Sequence, residues 1–350
     1  SNMETVLSEG MLLGMGNPLL DISAVTDEKF LEKYALRAND AILAEEKHMP
    51  LYKEIIENYN VEYIAGGSTQ NALRVAQWIL QKPNVTVFIG SVGKDNYSRI
   101  LENKAREDGV NVKYQYTTER PTGTCAVLIT NNGAYRSLCA NLAAAECFSV
   151  SHLQQPDVKK LIDNADFYYS SGFFLTVSIE TIIEVAQIAL KRNKLFMMNL
   201  SAPFLPVFYK DQMMRAMPYV DILFGNETEA LAFAKEQNFG TEDLKAIALK
   251  MILLPKQNRS RQRIVILTQG SKLPVLLATD DKITEFPVKE VPPEQVVDTN
   301  GAGDAFVGGF LSQLVQNEPY DVCVKCGIWA AAQIVQRSGC TFSGKPTFSP

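Results

Sequence analysis

A chain of 350 residues, 46% of them hydrophobic, is long enough to bury the core of one large domain with a smaller appendage. A net charge of −5 offers no basic surface for nucleic acid, and no apolar run of about 18 residues is present to span a membrane. The start of the chain shows no basic region followed by an apolar stretch, so an intracellular protein is expected, cytoplasmic first and nuclear as the alternative. The two histidines, His48 and His152, stand without partners in sequence, which all but removes histidine-based nucleophilic chemistry. Cys323 and Cys326 form the one close cysteine pair; Val322, Val324 and Ile328 around them predict a buried helix rather than a zinc or redox motif.

Residues 11–15 predict a short buried strand running into Gly14-Met15-Gly16-Asn17-Pro18. Gly-x-Gly alone is a weak dinucleotide signal; the third glycine is missing and Pro18 would interrupt a helix start. Asn17 and Asp21 read either as turn and strand polar groups or as partners for a ligand's hydroxyls at a strand end. Helical pieces at 27–34 and 45–59 and a strand at 61–65 follow. Gly66-Gly67-Ser68-Thr69-Gln70-Asn71 leads into a helix with Leu73, Ala76, Ile79 and Leu80 at helical spacing, and Ser68 is placed as its N-cap. The glycine pair is either a plain turn or a close backbone approach to a ligand, with Asn71 facing it. A strand at 85–92, a helix at 96–108 and strands at 112–117 and 124–129 come next. Asn131-Asn132-Gly133 signals a hairpin returning over 135–142.

That hairpin, with strands near 20–24, 41–44 and 61–65, breaks the strand–helix alternation found elsewhere. A small β-rich lid domain, 20–65 and 119–142, is therefore expected beside a large domain of 3–19, 66–118 and 143–350. In the large domain, strands at 166–171, 195–200, 220–224 and 264–268 alternate with helices at 157–164, 177–192, 209–217, 227–237 and 241–253. This is the pattern of an α/β, doubly wound, mainly parallel sheet with helices on both faces. Strands near 274–278 and 283–286 read as antiparallel, and helices at 303–316 and 320–337 close the chain. Arg259-Ser260-Arg261-Gln262-Arg263 reads as a solvated loop.

The stretch Asp298-Thr299-Asn300-Gly301-Ala302-Gly303-Asp304 lies between the β-branched pair Val296-Val297 and an apolar, helix-compatible segment from Ala305 to Val315, and so reads as the turn of a strand, glycine-rich turn and helix, the arrangement that aims backbone N–H groups at an anion. Strand C-terminal ends converge in a doubly wound sheet, so this turn, Asn226-Glu227-Thr228-Glu229, Thr268-Gln269-Gly270 and Gly66-Gly67 are expected to share one site. No Walker A or protein-kinase catalytic motif occurs, yet the set suits phosphoryl transfer. In that reading Asp304 accepts the proton of an attacking alcohol, the N–H groups of Gly301, Ala302 and Gly303 face the developing charge, and Glu229 beside Asn226 holds Mg²⁺ through water. The plain readings are that Asp304 caps its helix and Glu229 is a first-turn acid.

The same stretch resembles the D-T-x-G-A-G-D signature of the ribokinase (PfkB) family of sugar and nucleoside kinases. Gly66-Gly67 with Asn71 resembles that family's glycine pair and Asn226-x-x-Glu229 its metal-linked motif, over residues 10–348. Gly14-Met-Gly-Asn-Pro-Leu-Leu-Asp21, Pro121-Thr-Gly-Thr-Cys125, Arg136-Ser-Leu-x-Ala-Asn-Leu142, Gly172-Phe-Phe-Leu175 and Asn199-Leu-Ser-Ala-Pro-Phe204 are similar to its adenosine-phosphorylating branch. The resemblance implies a ribokinase-like fold and ATP-dependent phosphorylation of the adenosine 5′-hydroxyl. It implies Asp304 as the base and Gly301, Ala302 and Gly303 as the anion hole. Asn17, Asp21, Gly67, Ser68 and Asn71 would hold the ribose. Phe173 would stack on adenine with Phe204 and Leu138, and Arg136 would reach the transferring phosphate. Asn226, Thr268 and Gly270 would meet ATP, and Glu229 Mg²⁺. Asp298, Asn300, Gly339 and Ser343 would form a K⁺ site. Ala41 stands where such kinases often carry a glutamine that contacts the purine. A monomer is expected, since the lid strands show no clasp pattern. The rivals are a kinase of the same family for another nucleoside or a sugar, and a catalytically silent nucleotide-binding protein.

Overall fold

The computed structural model describes residues 6–350, so the expected start of the large domain at residue 3 lies outside the described residues. The first half of the chain contains strands β1 (Leu12–Met15), β2 (Leu19–Val25), β3 (Ala41–Leu43), β4 (Glu62–Gly66), β5 (Thr86–Gly93), β6 (Asn111–Thr117), β7 (Thr124–Thr130) and β8 (Tyr135–Asn141). Among them lie helices α1 (Glu28–Lys33), α2 (Pro50–Asn58), α3 (Ser68–Leu80) and α4 (Asn96–Glu107). The second half adds β9 (Phe167–Ser170), β10 (Leu195–Asn199), β11 (Ile222–Asn226), β12 (Ile264–Thr268), β13 (Val275–Thr279) and β14 (Lys282–Phe286). Its helices are α5 (Pro156–Asn164), α6 (Ile179–Lys191), α7 (Phe204–Phe208), α8 (Lys210–Ala216), α9 (Glu227–Glu236), α10 (Leu244–Ile252), α11 (Ala302–Leu314) and α12 (Tyr320–Ile334).

The large sheet runs β14-β13-β12-β11-β10-β9-β1-β5-β6 and is parallel from β12 through β6, with β13 and β14 antiparallel at one edge. Its strands are apolar on both faces because both are covered. Leu13, Tyr168, Met198, Leu223 and Val265 point into a core with α5, α6 and α8 to α10. Their neighbours Leu12, Tyr169, Met197, Ile222 and Ile266 point into a second core with α3 and α11. From β1 the chain goes to β5 on one side and later to β9 on the other. The crevice at the end of β1 is therefore a topological switch point, where open α/β sheets place ligands.

The second sheet, β3-β8-β7-β2-β4, contains the strands expected for the lid. One face, with Ile22, Ala24, Ala126 and Leu128, is sealed by Phe30, Leu31, Leu51 and Ile55 of α1 and α2. The alternate residues Leu19, Cys125, Val127 and Ile129 form the opposite face. At the tip, Asn131, Asn132 and Gly133 all have positive φ (52°, 54° and 90°). A Cβ on Gly133 would stand 2.2 Å from the Val297 carbonyl oxygen, so the tip rests on the segment that feeds the anion turn; that segment, read as a strand from Val296-Val297, is extended but joins neither sheet.

Three further local readings need correction. Ser68 is not the N-cap of α3; Gly67, at φ 91°, takes that place and Ser68 is the first helical residue. Pro50 splits the helix read at 45–59, since it favours a first helical position. Arg263 is not solvated: it is fully buried and donates to the carbonyls of Met217, Val220, Met251, Ile252, Leu254 and Pro255. Cys323 and Cys326 lie buried in α12 with thiols pushed up to about 12 by burial, the structural role expected of them.

Candidate active site

A cavity of about 1170 Å³ lies between the lid sheet and the C-terminal ends of β1, β9, β10, β11 and β12. The turn before α11 forms its floor. Gly301 caps α11 at φ 85°, a conformation that favours glycine, and a Cβ there would press on Cys340. The first N–H groups of a helix have no intrahelical acceptor. Gly303 is exposed, with open space where a Cβ would stand, so an anion has room there.

Asp304 lies in the first turn of α11 and does not cap it. The Ser68 hydroxyl donates to its Oδ1 at 2.7 Å and the Asn71 amide to its Oδ2 at 3.3 Å. Burial pushes its pKa up to about 6, against the lowering effect of these two donors and of Arg136. Starting α3 at Ser68 rather than one residue later frees the serine hydroxyl for this contact.

Gly66 and Gly67 serve close approach, but to protein groups. A Cβ on Gly67 would lie 2.3 Å from the Asn17 carbonyl oxygen, and one on Gly66 would lie 2.2 Å from Asp21 Oδ1. The pair thus draws Asn17, Asp21 and the start of α3 together on the cavity wall. Asn17 donates through Nδ2 to the Phe173 carbonyl at 3.5 Å, while its Oδ1 is buried without a partner among the described residues. Asp21 is buried, and its one side-chain donor among the described residues is Asn300 Nδ2 at 3.4 Å. Burial, reinforced by Asp304 and Asp298, raises its pKa to about 8. An unpaired acceptor and a desolvated carboxyl side by side suit a ligand that presents hydroxyl groups.

Above them, Phe173 lines the cavity and Leu138 faces in from β8. Ala41 is the β3 partner of Leu138 in register, so this wall carries a methyl group where an amide would reach a base. Phe204 does not line the cavity as expected. It sits at the start of α7, a helix the sequence reading missed, and packs behind Phe173 with ring centroids 6.3 Å apart. Arg136 is on the cavity wall with Nη1 buried and unpartnered among the described residues, and its charge lowers the pKa of Asp304, Glu229 and Asp298 alike.

The sequence profile of the pfkB family carbohydrate kinases matches residues 28–347. The chain belongs to the pfkB family. It is 52% identical over 341 residues to adenosine kinase 2 of Arabidopsis thaliana, covering 97% of this chain and 98% of that one. It is 42% identical over 335 residues to the adenosine kinase of Schizosaccharomyces pombe, covering 96% and 97%. The crystal structure of Anopheles gambiae adenosine kinase in complex with P1,P4-di(adenosine-5) tetraphosphate superimposes with a TM-score of 0.95. It is 60% identical and covers 98% of this chain and all of that one. Adenosine kinase from Schistosoma mansoni in complex with 2-fluoroadenosine follows at TM-score 0.93 and 37% identity, covering 97% and 99%.

In this pfkB-family kinase the two expected metal sites fare differently. Glu229 and Asn226 form a capping box: Asn226 Oδ1 accepts the Glu229 N–H at 2.8 Å and Glu229 Oε1 the Asn226 N–H at 3.0 Å. Glu229 still lines the cavity and makes no ion pair among the described residues. Burial raises its pKa to about 7. A desolvated carboxylate without a cation fits a role toward hydrated Mg²⁺. Of the expected K⁺ set, Asp298, Asn300 and Gly339 meet, while Ser343 is turned to Arg337. Asp298 is fully buried, and its two oxygens accept the N–H groups of Asn300 and Gly339, each at 2.8 Å. Gly339 presents its N–H to Asp298, and its carbonyl accepts the Thr341 N–H at 3.0 Å. Ser343 is exposed and accepts from Arg337 at 2.6 Å. Thr268 and Gly270 line the cavity as expected, Gly270 at φ 82°.

The sequence reading missed an apolar shelf of the same cavity, made by Val288, Val291, Ile328, Ala331 and Val335. Ile328, Ala331 and Val335 continue the apolar stripe of α12, and such a stripe reads as core until the neighbouring surface is known to be a cavity.

Proposed function

We infer that this kinase transfers the γ-phosphoryl group of ATP to the 5′-hydroxyl of adenosine, giving AMP and ADP. The observation that carries the reading is Asp304. It is an acid held by Ser68 and Asn71 at the mouth of a glycine-capped helix, in one cavity with the hydroxyl-seeking pair Asn17 and Asp21. A sugar alone would leave the Phe173 and Leu138 wall uncovered; a base-bearing substrate covers it. The full-length likeness to adenosine kinases supports the same substrate.

In this mechanism Asp21 accepts from the ribose 2′- and 3′-hydroxyls and Asn17 takes a hydroxyl on its free oxygen. The purine lies against Phe173, with Phe204 supporting the ring and Leu138 closing from the lid. Ala41 leaves recognition of the base edge to stacking, backbone and water. A pKa near 6 leaves Asp304 ionised at neutral pH. As the 5′-oxygen bonds to the γ-phosphorus, its proton passes to Asp304 and the bond to the β-phosphate oxygen breaks, releasing ADP. Concerted loss of the proton is required because an alcohol is far less acidic than a carboxylic acid. The N–H groups of Gly301 and Gly303 and the guanidinium of Arg136 face the transferring charge, and the Ala302 N–H, which donates to the Thr299 carbonyl at 3.3 Å in the ligand-free site, joins them on exchanging that acceptor for phosphate. Thr268 and Gly270 approach the ATP phosphates, and Asn226 shapes that wall as the cap of α9. Mg²⁺, held through water by Glu229, would neutralise phosphate charge. No step is assigned to K⁺.

The lid, 20–65 and 119–142, excludes water from the reacting groups, with its tip seated on Val297. Thr299 Oγ1 also donates to the Ala134 carbonyl at 3.4 Å. The test is ATP turnover with adenosine, inosine, guanosine, cytidine and ribose, each with and without Mg²⁺. Turnover of adenosine above the others is expected; turnover of ribose but not adenosine would overturn the substrate assignment.

A further inference from the structure

Behind Asn71, on the side away from Asp304, lies a guanidinium that the chemistry above does not use. Arg74, one turn along α3, has no exposed side-chain surface. Its Nε donates to Asp108 Oδ2 at 2.7 Å, and Lys104 approaches the other Asp108 oxygen at 3.7 Å. Its Nη1 is shared between the Ala65 carbonyl and Asn71 Oδ1, each at 3.3 Å. The Phe342 ring covers the guanidinium with its centroid 5.4 Å away, and stacks in turn on Trp78 at 5.0 Å. Trp78 Nε1 donates to the Gly344 carbonyl at 2.8 Å, so the C-terminal segment seals Arg74 from solvent.

A carboxamide has two ends of nearly equal size and opposite polarity. Asp304 needs the NH₂ end of Asn71; the oxygen end would set two acceptors face to face. Packing alone distinguishes the ends poorly. A guanidinium distinguishes them fully, because it only donates. We propose that Arg74, anchored by Asp108, is a positioning residue that fixes the polarity of the Asn71 amide, so that its N–H always faces Asp304. The proposal rests on the reading of Asp304 as the base. It also gives the buried pair a purpose beyond stability, since such pairs are often replaceable by apolar groups without loss of stability.

The other charged or titratable groups around Asp304 are Arg136 of β8, Asp21 of β2, Glu229 of α9, Tyr169 of β9 and Cys340. None of them is altered in the test. The variant Arg74→Met/Asp108→Leu removes both buried charges, leaving neither alone. With adenosine saturating, kcat is expected to fall about tenfold or more. The acid limb of its pH profile should rise by roughly half a unit, because an amide free to turn no longer always donates to the base. Arg74→Lys keeps an obligate donor and should lie between this variant and the wild type. In an Asn71→Ala background the Arg74/Asp108 change should add no further shift of the limb. An unmoved limb in the folded variant, or a full additional shift in the Asn71→Ala background, would overturn the proposal. Should Arg74→Met/Asp108→Leu fail to fold, Asn71→Ala and Arg74→Lys decide: a wild-type limb in Asn71→Ala overturns it, and a raised limb with Arg74→Lys intermediate supports it. Asp304→Asn in the same assay separates the two claims. If that variant keeps near-normal kcat, the base reading fails; if it loses turnover while the Arg74 variants leave the limb unmoved, only the positioning role fails.

Discussion

The two ends of the turn from 298 to 304 carry the same side chain in opposite settings. Asp298 is closed off, and both its oxygens are occupied by backbone N–H groups at 2.8 Å. Asp304 borders the cavity and is held by two side chains, Ser68 and Asn71, which can yield to a substrate. Burial pushes both pKa values up. The difference lies in the partners: backbone donors pin a carboxylate as structure, whereas side-chain donors beside open space leave it able to take a proton. An acid's neighbours, more than its shifted pKa, separate scaffold from chemistry.

The largest effect should separate these two residues. Asp304→Asn is expected to lower kcat on the order of a thousandfold or more with adenosine affinity kept. Asp298→Asn should keep kcat within about tenfold but lose roughly 1–3 kcal/mol of stability, since its amide cannot accept two N–H groups as the carboxylate does. Chemical denaturation beside steady-state kinetics checks both, and a reversal of the two phenotypes would break the comparison. Arg136→Ala should come next, lowering kcat by roughly a hundredfold and more than it raises the KM for adenosine. An effect confined to adenosine KM would remove Arg136 from the phosphate.

Smaller still is a pH effect on stability. Asp21 titrates near 8 when folded, against 3.8 for an ordinary aspartate, with Glu229 near 7. The folded protein therefore holds protons that the unfolded chain has released. Ligand-free stability should be full below the usual carboxylate range and decline as pH rises toward 8. Thermal unfolding followed from pH 5 to 8 should show this slope, and Asp21→Asn should flatten its upper part. A wild-type slope of the opposite sign would contradict the burial argument. Least of all, Ser343→Ala should leave turnover and any response to K⁺ unchanged, because that hydroxyl lies on the surface with Arg337.

Much of this was legible in the sequence for physical reasons. Buried parallel strands are continuous apolar runs, and Asn131-Asn132-Gly133 fits few conformations other than a turn. The lid strands stood out because they interrupt an alternation. What was not legible depends on long-range contact. Ser68 looks like a cap because caps are local; that its hydroxyl turns to a residue 236 positions away is settled only by the packing of α3 on α11. Arg263 looks solvated because charge usually is, until six carbonyls converge on it. Of the expected K⁺ set, Asp298, Asn300 and Gly339 meet, whereas Ser343 turns to Arg337 on the surface, an orientation that only the packing of the C-terminal segment decides.

The most direct test of the central claim is the pH dependence of kcat at saturating adenosine and ATP, for the wild type and for Asp304→Asn. Under saturation kcat reports groups in the bound complex, so Asp21 and its ligand no longer dominate the profile. The wild type is predicted to fall on the acid side as Asp304 takes up its proton, and burial in the ligand-free site already holds that carboxyl above the ordinary aspartate range. The variant is predicted to be flat over the same range. A variant that keeps the acid limb, with kcat close to that of the wild type, would show that another group takes the proton.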